Sequence, residues 1–174
     1  MIVATLTMLA PARATADVET VAPFNADVAL SGSYIRTHQQ LHRCLNARGA
    51  SSANLTPIIL WDCSLNWNNL WNYYNPPGTN YNYIYLVDPN GNARCLNAKG
   101  GGTTNGTPII LFDCVASVNN VWYVDEGSVV DDIVYIKTVG RGNRCVNAYF
   151  GGIDNGTPII LYDCVNAANN AWDI

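Results

Sequence analysis

The sequence has little charge. It contains 9 Lys and Arg and 13 Asp and Glu in 174 residues, with a formal net charge of −4. Binding to a phosphate backbone requires clustered cations, so this composition argues against a nucleic-acid partner. No apolar run approaches the roughly 20 residues that a membrane-spanning helix needs. The apolar fraction of 49% is nevertheless high enough for a folded core, which excludes general disorder.

Metal-ligating and catalytic side chains are also scarce. We expect the only histidines, His38 and His42, to lie on the surface, and there is no C-x-x-C pair of the zinc-binding type. Catalysis would need converging acids, bases or a nucleophile. The best candidate for a catalytic group is an acidic stretch that contains Asp125, Glu126, Asp131 and Asp132. We expect this stretch to be a solvated connection between the second and third of the repeated segments described below. We therefore predict no cofactor, no metal and no enzymatic activity, with a hydrolase that uses an acid pair from this stretch as the alternative.

The N-terminal residues have features of an export signal. Residues 2–10 are apolar and are followed by small-x-small patterns, the last of which ends at Ala16. This arrangement is typical of a secretory signal peptide, although no basic residue precedes Arg13. We predict a signal peptide at residues 1–16, a short lead at residues 17–30 and secretion, where disulfides persist.

The chain contains three copies of one segment. They align without gaps at residues 43–71, 94–122 and 144–172, each with two cysteines 19 residues apart and a final N-N-x-W. Six cysteines allow 15 pairings in principle. Bridges that respect the repeat must be internal to each copy or cyclic between copies, and we expect internal ones. The expected pairs are Cys44–Cys63, Cys95–Cys114 and Cys145–Cys164.

Each copy is predicted to contain four short strands. A segment of Ile, Ile and Leu followed by an aromatic residue comes directly after a proline, which is accepted at the first residue of a strand. Asn-Gly at 105–106 and 155–156 predicts a turn before it, where the first copy has Asn54 and Leu55. Twelve short strands in threefold repetition favour an all-β β-trefoil over a propeller, since three blades would be too few. The predicted lobes are residues 31–81, 82–131 and 132–174.

The repeated motifs resemble those of the ricin B-chain lectin family, the β-trefoil lectins also called carbohydrate-binding module family 13. The likeness is carried by C-(L/V)-N, T-P-I-I-L-(W/F/Y)-D-C and the terminal N-N-x-W, a variant of the family's Q-x-W. It covers residues 31–174. The resemblance implies a β-trefoil that binds glycans or glycoconjugates through one shallow pocket per lobe, with galactose-type or related sugars as ligands.

The resemblance also implies which side chains line each pocket. Strand alternation places the residue after Leu45 and the two neighbours of Leu60 on the face away from the core. An aromatic ring there would lie against the C–H face of a pyranose, and amides would exchange hydrogen bonds with its hydroxyls. The implied sugar-binding residues are Asn46, Ile59, Trp61 and Asn68 in the first copy, Asn97, Phe112 and Asn119 in the second, and Asn147, Ile160, Tyr162 and Asn169 in the third.

Two departures from the family pattern concern the same pocket. The residue two positions after the first cysteine is Asn where galactose-binding members usually have Asp, whose charge-assisted hydrogen bonds are stronger. The second Asn of N-N-x-W replaces the Gln that braces this Asp. The paired change fits a re-tuned pocket or a lapsed one, so the alternative function is a non-enzymatic binding or assembly module, such as the cell-attachment component of a toxin. We expect the third copy to be closest to a working site and the second, with Phe112, to be furthest.

Other repeated residues are expected to be structural. We place the final Trp of each copy in the core, and the Asp before each second cysteine at turns or the solvated surface. The N-x-T segments also fit the glycosylation acceptor pattern, but each is followed by proline and we interpret them as turns.

Overall fold

The computed structural model describes four stretches of the chain: residues 21–26, 31–128, 133–140 and 142–174. The predicted signal peptide, residues 1–16, lies outside these stretches, as do Asp131 and Asp132.

The described residues form twelve antiparallel strands in one connected sheet. The strands are β1 (Arg36–Thr37), β2 (Gln40–Ala47), β3 (Thr56–Asp62), β4 (Asn72–Tyr74), β5 (Asn82–Val87), β6 (Ala93–Ala98), β7 (Ile109–Asp113), β8 (Val121–Ser128), β9 (Ile133–Thr138), β10 (Arg144–Ala148), β11 (Ile159–Asp163) and β12 (Trp172–Asp173). Two three-residue 3-10 turns accompany each copy, at Arg48–Ala50, Trp67–Asn69, Lys99–Gly101, Val118–Asn120, Tyr149–Gly151 and Ala168–Asn170.

The strand pairing closes a barrel and builds three hairpins on it. The barrel runs β1–β12–β9–β8–β5–β4, and a bridge between Ser33 and Trp71 joins its two ends. The hairpins are β2–β3, β6–β7 and β10–β11. They contact one another through β3–β7 and through bridges at Ile59–Pro158 and Pro108–Ile160. The predicted all-β fold of three four-stranded repeats is therefore confirmed.

One apolar core fills the barrel and the underside of the hairpins. Alternation along the strands buries Leu45, Ile58 and Leu60 completely or nearly so, as period-2 packing requires. The final Trp of each copy is in the same core, so that prediction is confirmed. A buried indole needs an acceptor for its N–H. Each Nε1 donates to a backbone carbonyl of its own copy, at 2.9–3.0 Å, in the pairs Trp71–Leu45, Trp122–Leu96 and Trp172–Val146.

The three predicted disulfides are present, one in each copy. In each hairpin the first cysteine is in the first strand and the second directly follows the second strand, so the bridge ties the open end of the hairpin. A closed loop of this length contributes about 3 kcal/mol in the chain-entropy view. Internal pairing, not cyclic pairing, is confirmed.

The Asp before each second cysteine lies at the surface and contacts a turn, as the sequence predicts, and it also forms an ion pair. Each binds an Arg of its own copy and also accepts from the turn Asn of another copy. The turn contacts are Asn54–Asp113 at 2.7 Å, Asn105–Asp163 at 2.8 Å and Asn155–Asp62 at 2.8 Å. The Arg contacts are Arg43–Asp62, Arg94–Asp113 and Arg144–Asp163. These turn contacts run first to second, second to third and third to first copy, and we call them the Asn–Asp ring.

Part of the predicted lead packs on the trefoil. The ring of Phe24 makes edge-on contacts with Tyr74, Tyr83 and Tyr85 at centroid distances of 5.1–5.5 Å. The Tyr83 hydroxyl donates to the carbonyl of Ala22 at 2.6 Å. Burial, with its tyrosine neighbours, raises the pKa of Tyr83 to about 12. Residues 21–26 therefore belong to the folded structure.

Strand β8 also differs from the sequence expectation. Asp125 and Glu126 lie in this strand and not in a connecting stretch. The carboxylate of Asp125 accepts from Lys137 Nζ on the neighbouring strand β9 at 2.7 Å.

Candidate functional site

Hairpin register brings the predicted site residues together. Asn46 on β2 is directly opposite Ile59 on β3, and Cys44 is opposite Trp61. Asn46 and Trp61 are therefore diagonal neighbours on the face away from the core, within reach of long side chains. The same register recurs in the other two hairpins. Asn46 and Ile59 are only 4% exposed, because the chain after each hairpin folds back over this face.

The first copy forms a cleft of about 580 Å³. Its lining includes all four predicted residues: Asn46, Ile59, Trp61 and Asn68. The Trp61 ring is 46% exposed and offers a flat apolar surface. Arg48, Asp62 and Gly156 also line this cleft and were missed in the sequence. Gly156 comes from the third copy, across the Asn–Asp ring.

The third copy forms a cleft of about 470 Å³. Its lining likewise includes all four predicted residues: Asn147, Ile160, Tyr162 and Asn169. The Tyr162 ring is 44% exposed. Tyr149 and Phe150 form a further wall, and Gln39 of the first copy also faces the cleft. Gln39 reaches it because the pairing of β1 with β12 places the start of the trefoil beside its end.

Asn residues brace one another in all three copies. Nδ2 of Asn46 donates to Oδ1 of Asn69 at 3.0 Å, and Asn69 donates onward to Ser64 Oγ at 2.8 Å. The same inner pairs occur in the other copies, Asn97 with Asn120 and Asn147 with Asn170. Asn46, Asn97 and Asn147 each donate an amide N–H to this contact. Their side-chain oxygens take no part in it.

The outer Asn differs between the copies. Asn68 donates to the carbonyl of Ala47 at 3.1 Å and is 6% exposed, and its Oδ1 has no hydrogen-bond partner among the described residues. In the second copy, the equivalent Asn119 donates to Asn97 Oδ1 at 3.3 Å and accepts from the Ser117 hydroxyl. These polar groups satisfy one another, and the Phe112 ring beside them is half-buried.

The described residues offer no metal site, since no group of three or more His, Cys, Asp or Glu is close enough together to hold an ion. No helix in the described part of the chain is long and apolar enough to cross a membrane.

Comparison with known proteins identifies a matching family and solved structures with the same fold. The family described as the ricin-type β-trefoil lectin domain matches residues 31–132. The designed threefold symmetric protein ThreeFoil superimposes with a TM-score of 0.70 at 16% identity, over 80% of this chain and 94% of that one. The C-terminal half of an earthworm R-type lectin, solved in complex with GalNAc, gives 0.57 at 18% identity, over 80% and 93%. At these identities the likeness shows the fold alone.

One curated protein also matches. The probable lipoprotein EnvE of Salmonella typhimurium is 44% identical over 36 residues. This match spans about a fifth of each protein, 21% of this chain and 21% of the relative.

Proposed function

The chain belongs to the ricin-type β-trefoil lectin domain family, and from this premise we propose that it is a lectin whose first and third copies each bind one sugar. A single observation supports this proposal most strongly. In both clefts an exposed aromatic ring, a buried Ile and two braced amides converge on one face of a hairpin. Apolar walls with a few fixed polar groups are the usual composition of a small-ligand site.

The first cleft suggests how a sugar is held. The C–H face of a pyranose lies on the Trp61 ring, while its hydroxyls meet the amides of Asn46 and Asn68. The Oδ1 of Asn68 is a buried acceptor without a donor among the described residues, and it is closed to solvent, so a sugar hydroxyl reaches it only when this side chain turns toward the cleft. The amides Asn46 and Asn68 are neutral and make weaker hydrogen bonds than a carboxylate would, and two sites on one rigid body supply avidity.

The sugar class we propose is galactose-type. The aromatic platform occupies the family's position, with Asn in place of Asp beside it, and the earthworm lectin that shares the fold was solved with GalNAc. Asn in place of Asp lowers the affinity without removing the acceptor, because the brace uses only an N–H of this Asn.

We further propose that the protein is exported and acts without catalysis. Three internal disulfides are typical of proteins that fold in an oxidising compartment, and the curated relative is described as a probable lipoprotein. Of the acidic residues that could have formed a catalytic pair, Asp125 is engaged by Lys137.

The second copy favours a different role. Its amides and Ser117 satisfy one another, which is what a lapsed sugar site would look like. We propose that the second lobe has lapsed as a sugar site, so that sugar binding is confined to the first and third lobes.

The test is a glycan array followed by calorimetric titration with methyl β-galactoside. We expect two sites per chain. Trp61→Ala should weaken binding at the first cleft about 30-fold, and Tyr162→Ala should do the same at the third, because loss of a central aromatic contact costs about 2 kcal/mol. Phe112→Ala is the matched control and should leave both sites intact. An array without signal, or an equal effect of all three changes, would contradict the proposal.

A further inference from the structure

A bulky aromatic residue occupies a glycine position in the third copy. Phe150 has φ +51°, in the left-handed region, within the 3-10 turn Tyr149–Gly151. The equivalent residues are Gly49 and Gly100, at φ +66° and +63°. A large side chain in this region is a rare backbone state that costs roughly 1–3 kcal/mol.

This backbone cost is not offset by burial. The Phe150 side chain is 89% exposed. At the two equivalent glycines a Cβ would meet nothing within 4 Å, which shows that the position projects into open space. Backbone strain at a residue that buries so little of its surface is typical of functional positions.

The exposed ring faces the sugar cleft. Phe150 lies against Tyr149 with centroids 4.4 Å apart and planes at 65°, and both rings line the cleft that contains Tyr162. In the other copies Arg48 and Lys99 stand at the position of Tyr149. None of the described residues that line the third cleft is charged, whereas the first cleft includes Arg48 and Asp62.

From these observations we infer that the third cleft selects a neutral, galactose-terminated oligosaccharide of at least two units. The terminal unit lies on Tyr162 beside Asn147, and the next unit stacks on the wall formed by Tyr149 and Phe150. The amide of Gln39, which lines the same cleft, is available to the hydroxyls of the ligand. This inference rests on the proposed function and adds the length and charge of the ligand.

The chemistry of the wall favours a sugar as its occupant. The two rings of the wall line the same cleft as the amides of Gln39 and Asn169. An occupant must therefore be apolar on one face and hydroxylated at its edges. A pyranose meets both requirements, while an alkyl chain would leave the amides unpaired.

The test is Phe150→Gly, which installs the residue of the other two copies and relieves the backbone. It is combined with Trp61→Ala, which weakens the first cleft, so that the measured sugar binding comes from the third cleft. Titration with methyl β-galactoside and with lactose measures one unit against two. We expect lactose affinity to fall about tenfold, methyl β-galactoside affinity to stay unchanged, and the melting temperature to stay equal or rise.

Leu55→Gly is the matched control. Leu55 also holds a left-handed φ, +72°, where the other copies have glycine, and its side chain is 54% exposed. It lies on the turn that bonds to Leu111 of the second copy, away from the third cleft. This change should relieve the same kind of strain and leave the ratio of the two affinities unaltered.

The outcomes separate the two proposals. Binding of methyl β-galactoside with an unchanged lactose preference in Phe150→Gly would overturn the inference and leave the proposed function standing. Binding of neither sugar by the unaltered protein would overturn the galactose-type function and this inference with it. A preference lost equally in Leu55→Gly would assign the effect to backbone relief and overturn the role of the ring.

Discussion

The second and third copies have the same hairpin register and different side chains around the pocket Asn. Their hairpins share one register, and their inner Asn pairs are equivalent. The third copy adds an exposed tyrosine platform and has Ala167 where the second has Ser117. In the second copy that serine completes a closed set of hydrogen bonds. The trefoil therefore positions the inner amides equivalently, while a few loop side chains determine which hydrogen bonds the outer amides make.

The largest expected effect comes from giving the second cleft the residues of the third. Phe112→Tyr with Ser117→Ala supplies the hydroxylated platform and removes the donor that occupies Asn119. We expect a third site for methyl β-galactoside by calorimetry, within about tenfold of the natural third cleft in affinity. Lactose should bind there no better than the monosaccharide, because Lys99 and Gly100 still replace the aromatic wall. A stoichiometry that stays at two would show that the closed amides are not what distinguishes the clefts.

A smaller effect is expected in the turns that border these two clefts. Asn54 donates to Asp113 and accepts from its backbone N–H at 2.9 Å, beside the second cleft. Asn105 makes the equivalent donation to Asp163 beside the third. We expect Asn54→Ala to lower the free energy of unfolding by about 2 kcal/mol and Asn105→Ala by about 1 kcal/mol.

Urea denaturation measures both values, with the unaltered protein as reference. Sugar affinity should stay constant in both variants, since neither Asn lines the first or the third cleft. Equal losses in the two variants would indicate that the additional bond of Asn54 has no energetic weight.

The smallest effect concerns a carboxylate that distinguishes the second copy. Asp88 stands where the other copies have Thr37 and Thr138. Burial alone would raise the pKa of Asp88, but hydrogen bonds from Asn92 and Asn90 outweigh it and hold the pKa below its ordinary value. The resulting stabilisation is complete above the unfolded-state pKa of about 3.9 and is lost as pH falls through the lower folded-state pKa.

Asp88→Thr tests this shift. We expect it to cost roughly 1 kcal/mol or less at pH 7, and the difference from the unaltered protein to shrink as pH falls from 5 to 3. Denaturation at stepped pH measures the difference directly. Thr138→Ser is the control and should give a pH-independent difference, because a hydroxyl does not titrate in this range. A constant difference for Asp88→Thr would contradict the lowered pKa.

Local spacing explains why so much of the site could be predicted. Two cysteines 19 positions apart define each hairpin, and strand alternation puts Asn46 and Trp61 on the same face. Both signals are contained within one copy and recur three times. The β-trefoil, the internal bridges and the grouping of predicted residues in the first and third clefts follow from them.

Long-range partners explain what could not be predicted. Gln39 enters the third cleft only because the first and last strands pair, and Asp62 meets Asn155 from 93 residues away. The docking of Phe24 on tyrosines of the second copy has no periodic signal at all. Such contacts depend on how copies are arranged around the barrel, which no single copy encodes.

The Asn–Asp ring has a consequence for assembly. Every copy contains both partners of this hydrogen bond, an Asn at its turn and an Asp before its second cysteine. In the ring, each Asn donates to the Asp of another copy and not to that of its own. Separate chains of one copy each would therefore be self-complementary, with head-to-tail contacts that close after three subunits. A peptide that contains residues 132–174, the 43 residues of the third predicted lobe, is expected to form a homotrimer.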